Sequence, residues 1–505
     1  MQDQHWQNLA QSLDYSIQNV INGERRPQAL PANETDLLQK FSGRDGSLLY
    51  EFSPGTAAEA DAAVANAREA FSDGRWNGLS LGQRSAILSK LADLVERDKD
   101  TFALYESLDV GKPITNALNT DLSIVISSLR SVGQQAMQLT SPSGADLGSF
   151  SYMRRKPIGV VAGIAGWNFP LTLAVSKVAP ALIMGNCLVL KPSEFTSLSA
   201  QHLAVLAIEA GVPPGVFNVV HGDGKTVGDR LAHHPDVDLL AFVGSSATGK
   251  QLMISAGQSN MKRLILECGG KSPFLAFDDC ADLDATAEEI VDNAFPNQGA
   301  LCVAGTRLIL QDSVRDKLLP LILEKAAAIK AADPLDPGTR FGALMSEAHM
   351  NKVLGYIDSG ISEGAKLILG GKRVYPQNND ALTGGFYIEP TIFDGVDPAA
   401  KIAQEEIFGP VLSIFSFSDE AEAIALANNS DFGLAAYAAT TNVARVQRLS
   451  ESINAGNLMV YGSAKPRFGT VGIASDKQRQ SGMGYSGGAE GLEAYTASTT
   501  VRLMT

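Results

Sequence analysis

Residues 157–191 read Pro157-Ile-Gly-Val-Val-Ala-Gly-Ile164, an apolar helical pattern over 171–184, then Asn186-Cys-Leu-Val-Leu190 and Lys191. Two short apolar runs flanking a helix-length segment make a strand–helix–strand unit of the parallel kind, because parallel neighbours need a crossover. The alternation continues outward: helix 197–210, strand Phe217–Val220, helix 225–232, strand Val237–Phe242, helix 247–256 and strand Arg263–Leu266. Such a run predicts a doubly wound α/β sheet with its ligand at the carboxyl ends of the strands. A second alternation runs from Pro273 to Val460, with helices near 282–294, 312–331, 346–363, 419–427 and 442–453, and predicts a second α/β domain. The boundary falls near Gly269–Lys271. Upstream, Trp6, Leu9, Leu13, Ile17 and Val20 at helical spacing predict a helix over 3–20. Further helices are expected over 57–71, 80–97 and 118–138, and a strand over Tyr495–Leu503.

The 505 residues suit two or three domains with large cores. Charged residues at 19% and hydrophobic ones at 45% are ordinary for a soluble globular enzyme. A net charge of −14 would repel nucleic acid or an anionic membrane over most of the surface. Four cysteines make no disulfide framework, and the N-terminal Met-Gln-Asp-Gln-His-Trp has neither a basic nor an apolar signal region. No uncharged apolar run reaches the roughly 18 residues of a membrane span. A cytoplasmic protein is expected. The six histidines have no metal-ligand spacing, so no metal site is expected.

The chemistry gathers in two stretches. Phe295-Pro-Asn-Gln-Gly-Ala-Leu-Cys-Val-Ala-Gly-Thr-Arg307 sets Cys302 between Gly299 and Gly305, whose lack of bulk opens the sulfur to a substrate. A lone cysteine of this kind is ordinarily a small buried residue. The stretch Leu264-Ile-Leu-Glu-Cys-Gly-Gly-Lys-Ser-Pro273, however, ends an apolar run on Glu267, 35 residues before the thiol. A thiol and a carboxylate at such breaks are what nucleophilic attack and base-assisted hydrolysis require. Asn168, in Gly166-Trp-Asn-Phe-Pro170, offers either an amide donor for an oxyanion or an Asx-turn. Lys191 and Glu194 lie just past a strand's carboxyl end, where a dinucleotide ribose would sit; a solvated surface pair is the alternative.

From about Ile21 to the C-terminus the chain resembles the aldehyde dehydrogenase superfamily, through the glutamate, cysteine and Trp-Asn-Phe-Pro motifs in the family's order. The resemblance implies a Rossmann-type dinucleotide domain (1–138 and 157–268), a catalytic domain (269–480) and a small β oligomerisation arm (139–156 and 481–505). It implies NAD as cofactor and a homodimer or homotetramer. No Gly-x-Gly-x-x-Gly fingerprint is present, since Gly222-Asp-Gly224-Lys-Thr-Val-Gly228 is one residue too long. The family binds NAD(P) without that turn. Its matching motif is Phe242-Val-Gly-Ser-Ser-Ala-Thr-Gly249, where Gly244 and Ser245 meet a pyrophosphate at a helix N-terminus; alone it would read as an ordinary N-cap. The resemblance adds Ile164, Trp167, Lys191, Ser193, Glu194, Gly224, Gly228, Phe242, Thr248, Glu267, Gly269, Glu406 and Phe408 to the cofactor site. A carboxylate at Glu194 would repel a ribose phosphate, so NAD is favoured over NADP.

By the same resemblance, Cys302 attacks the aldehyde, Asn168 and the Cys302 N–H hold the oxyanion, hydride leaves for the nicotinamide, and Glu267 activates the hydrolytic water. Lys177 matches a proton-relaying lysine, or is a helix-surface lysine. Trp167, Phe169, Leu173, Leu301, Val303 and Tyr461 are the expected tunnel lining. Four departures stand out: Ala300 for a glutamine, Tyr461 for an asparagine, Gly472-Ile-Ala-Ser-Asp-Lys-Gln for Pro-Phe-Gly-Gly-Tyr-Lys, and Ser486 for a glutamate. They bear on the substrate rather than the reaction. Spacing and the N-terminal helix are most similar to the bacterial branch that oxidises ω-aminoaldehydes, including γ-glutamyl-γ-aminobutyraldehyde, with Asp121 as a candidate carboxylate at the tunnel mouth. Aromatic or medium-chain aliphatic aldehydes remain open. Of the two rival readings, Glu267 argues against a CoA-acylating relative, where a water-activating base is superfluous, and the intact Cys302, Glu267 and Asn168 argue against a non-catalytic protein on the same fold.

Overall fold

Five parallel strands form the centre of the first sheet, in the spatial order Phe217–Val219, Cys187–Lys191, Val160–Ile164, Leu239–Val243, Arg263–Glu267. The computed structural model describes residues 2–29, 31, 33, 36–146, 149–376, 379–462 and 474–504. The strands Val160–Ile164 and Cys187–Lys191 are buried on both faces, which is why they read as unbroken apolar runs rather than alternating ones. The order of winding reverses between Val160–Ile164 and Leu239–Val243, so a crevice opens beyond Ile164 and Val243.

The chain passes from this sheet to the second between Glu267 and Pro273. The second sheet runs Lys366–Leu369, Thr391–Asp394, Val411–Phe417, Arg307–Gln311, Pro273–Ala276, Ala435–Ala439, Asn457–Tyr461, parallel except for its first strand. The helices Leu283–Ala294, Asp312–Ala328, Glu347–Ser362, Glu420–Asn428 and Val443–Ser452 match the periodic segments within a few residues.

Two local expectations need correction. The first helix stops at Ser12 instead of running to 20, and Asn19–Ile21 is a strand at the edge of the first sheet. The Ser16 N–H donates to Asp14 Oδ1 at 2.9 Å, a local bond that competes with the helix. Ile17 instead packs with Tyr50, Phe52 and Tyr105. The small β sheet is narrower than the expected arm: Ser143–Asp146, Ser149–Pro157 and Thr496–Met504 form it. Residues 482–483 instead pair with Leu266 and Glu267 at the edge of the first sheet. The helix Gly488–Glu493 packs on the helices Leu122–Met137 and Pro170–Ile183.

Asp121 is not a surface carboxylate. Its side chain is 2% exposed and pairs with Lys112 at 2.5 Å, while the Lys112 ammonium lies 3.9 Å from the centre of the Phe169 ring. Removing one partner strands a charge in a dry core. We expect Asp121→Leu to cost roughly 3–5 kcal/mol, and Lys112→Met/Asp121→Leu to recover most of it. The measurement is the urea midpoint of the three proteins.

Candidate active site

The glutamate and cysteine motifs meet through a glycine. A β-carbon on Gly270 would lie 2.1 Å from the Cys302 carbonyl oxygen, so no other side chain allows this approach. The Gly270 N–H donates to Glu406 Oε1 at 2.9 Å, and a β-carbon on Gly269 would lie 2.5 Å from Glu406 Oε2. Three motifs distant in sequence thus converge on the cysteine loop. That loop turns through three consecutive left-handed residues, Asn297 (φ 49°), Gln298 (φ 56°) and Gly299 (φ 74°). Such backbone persists only where surroundings hold it. Asn297 Nδ2 donates to the Asn168 and Ala300 carbonyls at 3.0 and 3.1 Å, and Asn168 Nδ2 donates to Ala300 O at 3.0 Å. An amide nitrogen carries two hydrogens, so this bond leaves Asn168 a second donor.

Charge surrounds the thiol. Burial pushes the Cys302 thiol up to about 12, and the Glu406 and Glu267 carboxylates add to the effect. Burial also works to raise Glu267, but the Lys177 and Lys477 cations and the Ser486 hydroxyl outweigh it and hold the carboxyl below its usual range. Lys177 is buried and pushed down to about 8, with Glu267 opposing that fall. It is not a helix-surface lysine. Ser486 Oγ donates to Glu267 Oε1, Lys477 Nζ donates to Ser486 Oγ, and Lys477 Nζ lies 3.6 Å from Glu267 Oε1. Sequence reasoning missed both partners; the signal available was that each falls at a departure from the family pattern. Gly472 and Ile473 of that departure lie outside the described residues. The neighbouring Cys268 is buried against Gly249, and burial pushes its thiol up to about 11.

The crevice of the first sheet collects most of the expected cofactor residues. Ile164 pairs in register with Lys191 on one side and Phe242 on the other. Lys191 is buried, donating to Pro192 O at 2.8 Å and pairing with Glu194 at 3.3 Å. Burial pulls its ammonium below the usual lysine range. Ser193 is buried beside them. A β-carbon on Gly228 would meet Lys191 Cδ at 3.7 Å, whereas one on Gly224 would meet nothing within 4 Å. Gly244 donates to Glu267 O at 3.0 Å, and Ser245 caps the helix Ser246–Gln258 by accepting from the Thr248 N–H at 3.1 Å. Free N–H groups at that end, facing the switch point, suit a pyrophosphate, and the lysine–carboxylate pair suits ribose hydroxyls. The residues fit a dinucleotide.

Trp167 meets Phe408 edge-on at 5.2 Å and His349 at 5.0 Å, while His349 Nε2 contacts Phe408 O at 2.7 Å. His349 carried no sequence signal. Leu173 approaches Gly166 of the Asn168 loop. Leu301 and Val303 are half-buried, and the Tyr437 hydroxyl donates to Val303 O at 2.8 Å. Tyr461 stacks on Phe274 at 5.7 Å and its hydroxyl accepts from Asn293 Nδ2 at 3.0 Å, so its ring is tied to the catalytic sheet. Among the described residues no group of three or more His, Cys, Asp or Glu is placed to hold a metal ion. No described helix is long and apolar enough to cross a membrane.

Comparison with known proteins agrees with this geometry. The model of the aldehyde dehydrogenase family matches residues 31–501. The chain is 39% identical over 501 residues to the NADP/NAD-dependent aldehyde dehydrogenase PuuC of Escherichia coli, covering 98% of this chain and 97% of that one. It is 43% identical over 431 residues to the aminoacetaldehyde dehydrogenase of Pseudomonas aeruginosa, covering 84% and 85%. The structure of the P. syringae indole-3-acetaldehyde dehydrogenase AldA, in complex with NAD+ and IAA, superposes with a TM-score of 0.95 at 40% identity, covering all of both chains.

With its thiol pushed so far up, Cys302 is a thiol and not a thiolate at neutral pH in the free protein. Alkylation of Cys302 by iodoacetamide should therefore climb about tenfold per pH unit between about pH 7 and pH 10 without a plateau. Peptide mass spectrometry of Cys302 checks this, and a plateau below about pH 8 contradicts it.

Proposed function

Because the chain belongs to the aldehyde dehydrogenase family, we propose that it oxidises an aldehyde to the carboxylic acid with NAD as acceptor, through a covalent Cys302 adduct. The observation that carries this reading is the approach of Gly270 to the Cys302 carbonyl, which brings the thiol and Glu267 into one site. Cys302 Sγ gives up its proton with the help of the ionised Glu267 and forms a bond to the aldehyde carbon. The free N–H of Asn168 and the backbone N–H of Cys302 hold the oxygen that becomes negative. NAD, when bound, would supply the hydride acceptor for oxidation of the adduct to the thioester. Once that first proton has left for solvent through Lys177, the carboxylate of Glu267 takes a second one from water, whose oxygen attacks the thioester carbon. The C–S bond breaks, and Cys302 regains a proton as the acid departs. Lys177, whose ammonium burial pulls down to about 8, releases its own proton towards solvent and takes up the one that Glu267 gained from Cys302.

Lys191, Glu194 and Ser193 would hold the adenosine ribose, and Gly244, Ser245 and Thr248 the pyrophosphate. Ile164, Phe242, Gly224 and Gly228 line that crevice. Glu406, which accepts from the Gly270 N–H, would hold the nicotinamide ribose, with Phe408 and Trp167 beside it. The Glu194 carboxylate favours NAD, although the relative PuuC is named for both cofactors. Phe169, Leu173, Leu301, Val303 and Tyr461 bound the aldehyde's path. An ω-aminoaldehyde such as γ-glutamyl-γ-aminobutyraldehyde is the substrate class proposed, in keeping with the name of the Pseudomonas aeruginosa relative. The AldA likeness favours an aromatic aldehyde as the second reading. The strand Thr496–Met504, paired among the described residues only with Ser149–Pro157, offers its other edge to a second copy in a homodimer or homotetramer.

Turnover is read as NADH formation on a panel of aminoaldehydes, aromatic and aliphatic aldehydes with NAD or NADP. NAD with an aminoaldehyde should be best. Cys302→Ala should abolish turnover. Glu267→Gln should leave a single burst and cut steady turnover by on the order of a hundredfold or more. A Cys302→Ala protein that still turns over rejects the mechanism, and an aromatic aldehyde as best substrate selects the second reading.

A further inference from the structure

Glu267 stands between two buried lysines, and only Lys177 belongs to the family pattern. The second, Lys477, comes from the segment that replaces Pro-Phe-Gly-Gly-Tyr-Lys, and its partner Ser486 replaces the glutamate. Backbone pairing delivers both. Gly482 pairs with Glu267 at the edge of the first sheet, and Ser475–Asp476 pairs with Tyr485–Ser486. The Lys477 side chain is 2% exposed against 28% for Glu267. Both contacts fall on one oxygen: Ser486 Oγ donates to Oε1, and Lys477 Nζ lies 3.6 Å from that same atom. Where the family often sets a second carboxylate, this chain sets a hydroxyl backed by an ammonium. The two departures occupy one contact, so each accounts for the other.

We propose that Lys477, acting through Ser486, is a positioning residue for Glu267, holding Oε1 so that the carboxylate stays ionised and presents Oε2 to the hydrolytic water. The proposal rests on the reading of Glu267 as the water-activating base. The other charged group acting on Glu267 is Lys177, from the helix Pro170–Ile183; the Cys268 and Cys302 thiols and the Tyr495 phenol lie within reach of the Glu267 charge, and Glu406, bonded to the Gly270 N–H, acts on the same two thiols. Burial drives Glu267 towards the neutral acid, and Lys177 and Lys477 are the cations opposing it. With Lys477 neutralised, the acid form gains and the base is lost at a higher pH than before.

The test reads deacylation directly, as decay of the acyl-enzyme followed by rapid quench and intact-mass spectrometry from about pH 5 to pH 9. In Lys477→Met the acidic limb of that decay should move up by roughly one to three units, the size of one neighbouring charge's effect. Decay at the alkaline end should stay near the unaltered rate. Lys477→Arg should restore the limb, and Ser486→Ala should move it in the same direction as Lys477→Met. A limb that stays in place in Lys477→Met, or decay slowed equally at every pH, overturns the proposal. If Lys477→Met fails to fold, Lys477→Gln and Ser486→Ala carry the same comparison. Glu267→Gln separates the two claims: if it deacylates normally, the reading of Glu267 as base fails, whereas a dead Glu267→Gln beside an unshifted Lys477→Met fails the positioning role alone.

Discussion

The site depends on a contact that only a missing side chain permits. Gly270 lies against the Cys302 carbonyl, donates its N–H to Glu406 and follows the strand that ends on Glu267. Any β-carbon there would force the cysteine loop away from the glutamate strand. The same logic repeats at Gly299, whose β-carbon would lie 2.2 Å from Gly409 O in the segment carrying Glu406 and Phe408. Close backbone approach is a glycine property, and here it sets the distances on which the chemistry rests.

Around that contact, buried charge is balanced rather than avoided. Isolated ions in a dry interior are costly, so they persist only with partners. Glu267 has Lys177 and Lys477, Asp121 has Lys112, and Lys191 has Glu194. The consequences differ with the arrangement. Asp121 and Lys112 cancel each other and support Phe169. Two lysines on Glu267 hold its carboxyl below its usual range, while burial pulls Lys177 down to about 8 against the pull of Glu267.

Much of the fold was legible along the chain. Doubly buried parallel strands announce themselves as apolar runs, and crossover helices as periodic segments between them, so both sheets follow from the alternation. The first helix did not follow, because apolar spacing cannot distinguish Ile17 packed from a helix from Ile17 packed from an irregular segment. The arm was drawn too wide, because a glycine-rich stretch does not say which strand edge it will join. Residues 482–483 pair with Glu267's own strand.

The sequence by itself determined the family motifs, the doubly wound class and the candidate thiol, carboxylate and amide, because these depend on local pattern and residue type. Tertiary structure alone decided which charges share a neighbourhood. Asp121 is adjacent to nothing in sequence that marks it as buried, yet it is spent on Lys112. Lys477 and Ser486 look in sequence like two unrelated departures, 210 and 219 residues from Glu267. A carboxylate's environment is set by groups within a few ångströms, and chain separation carries no information about them until the strand edge formed by Gly482 is paired.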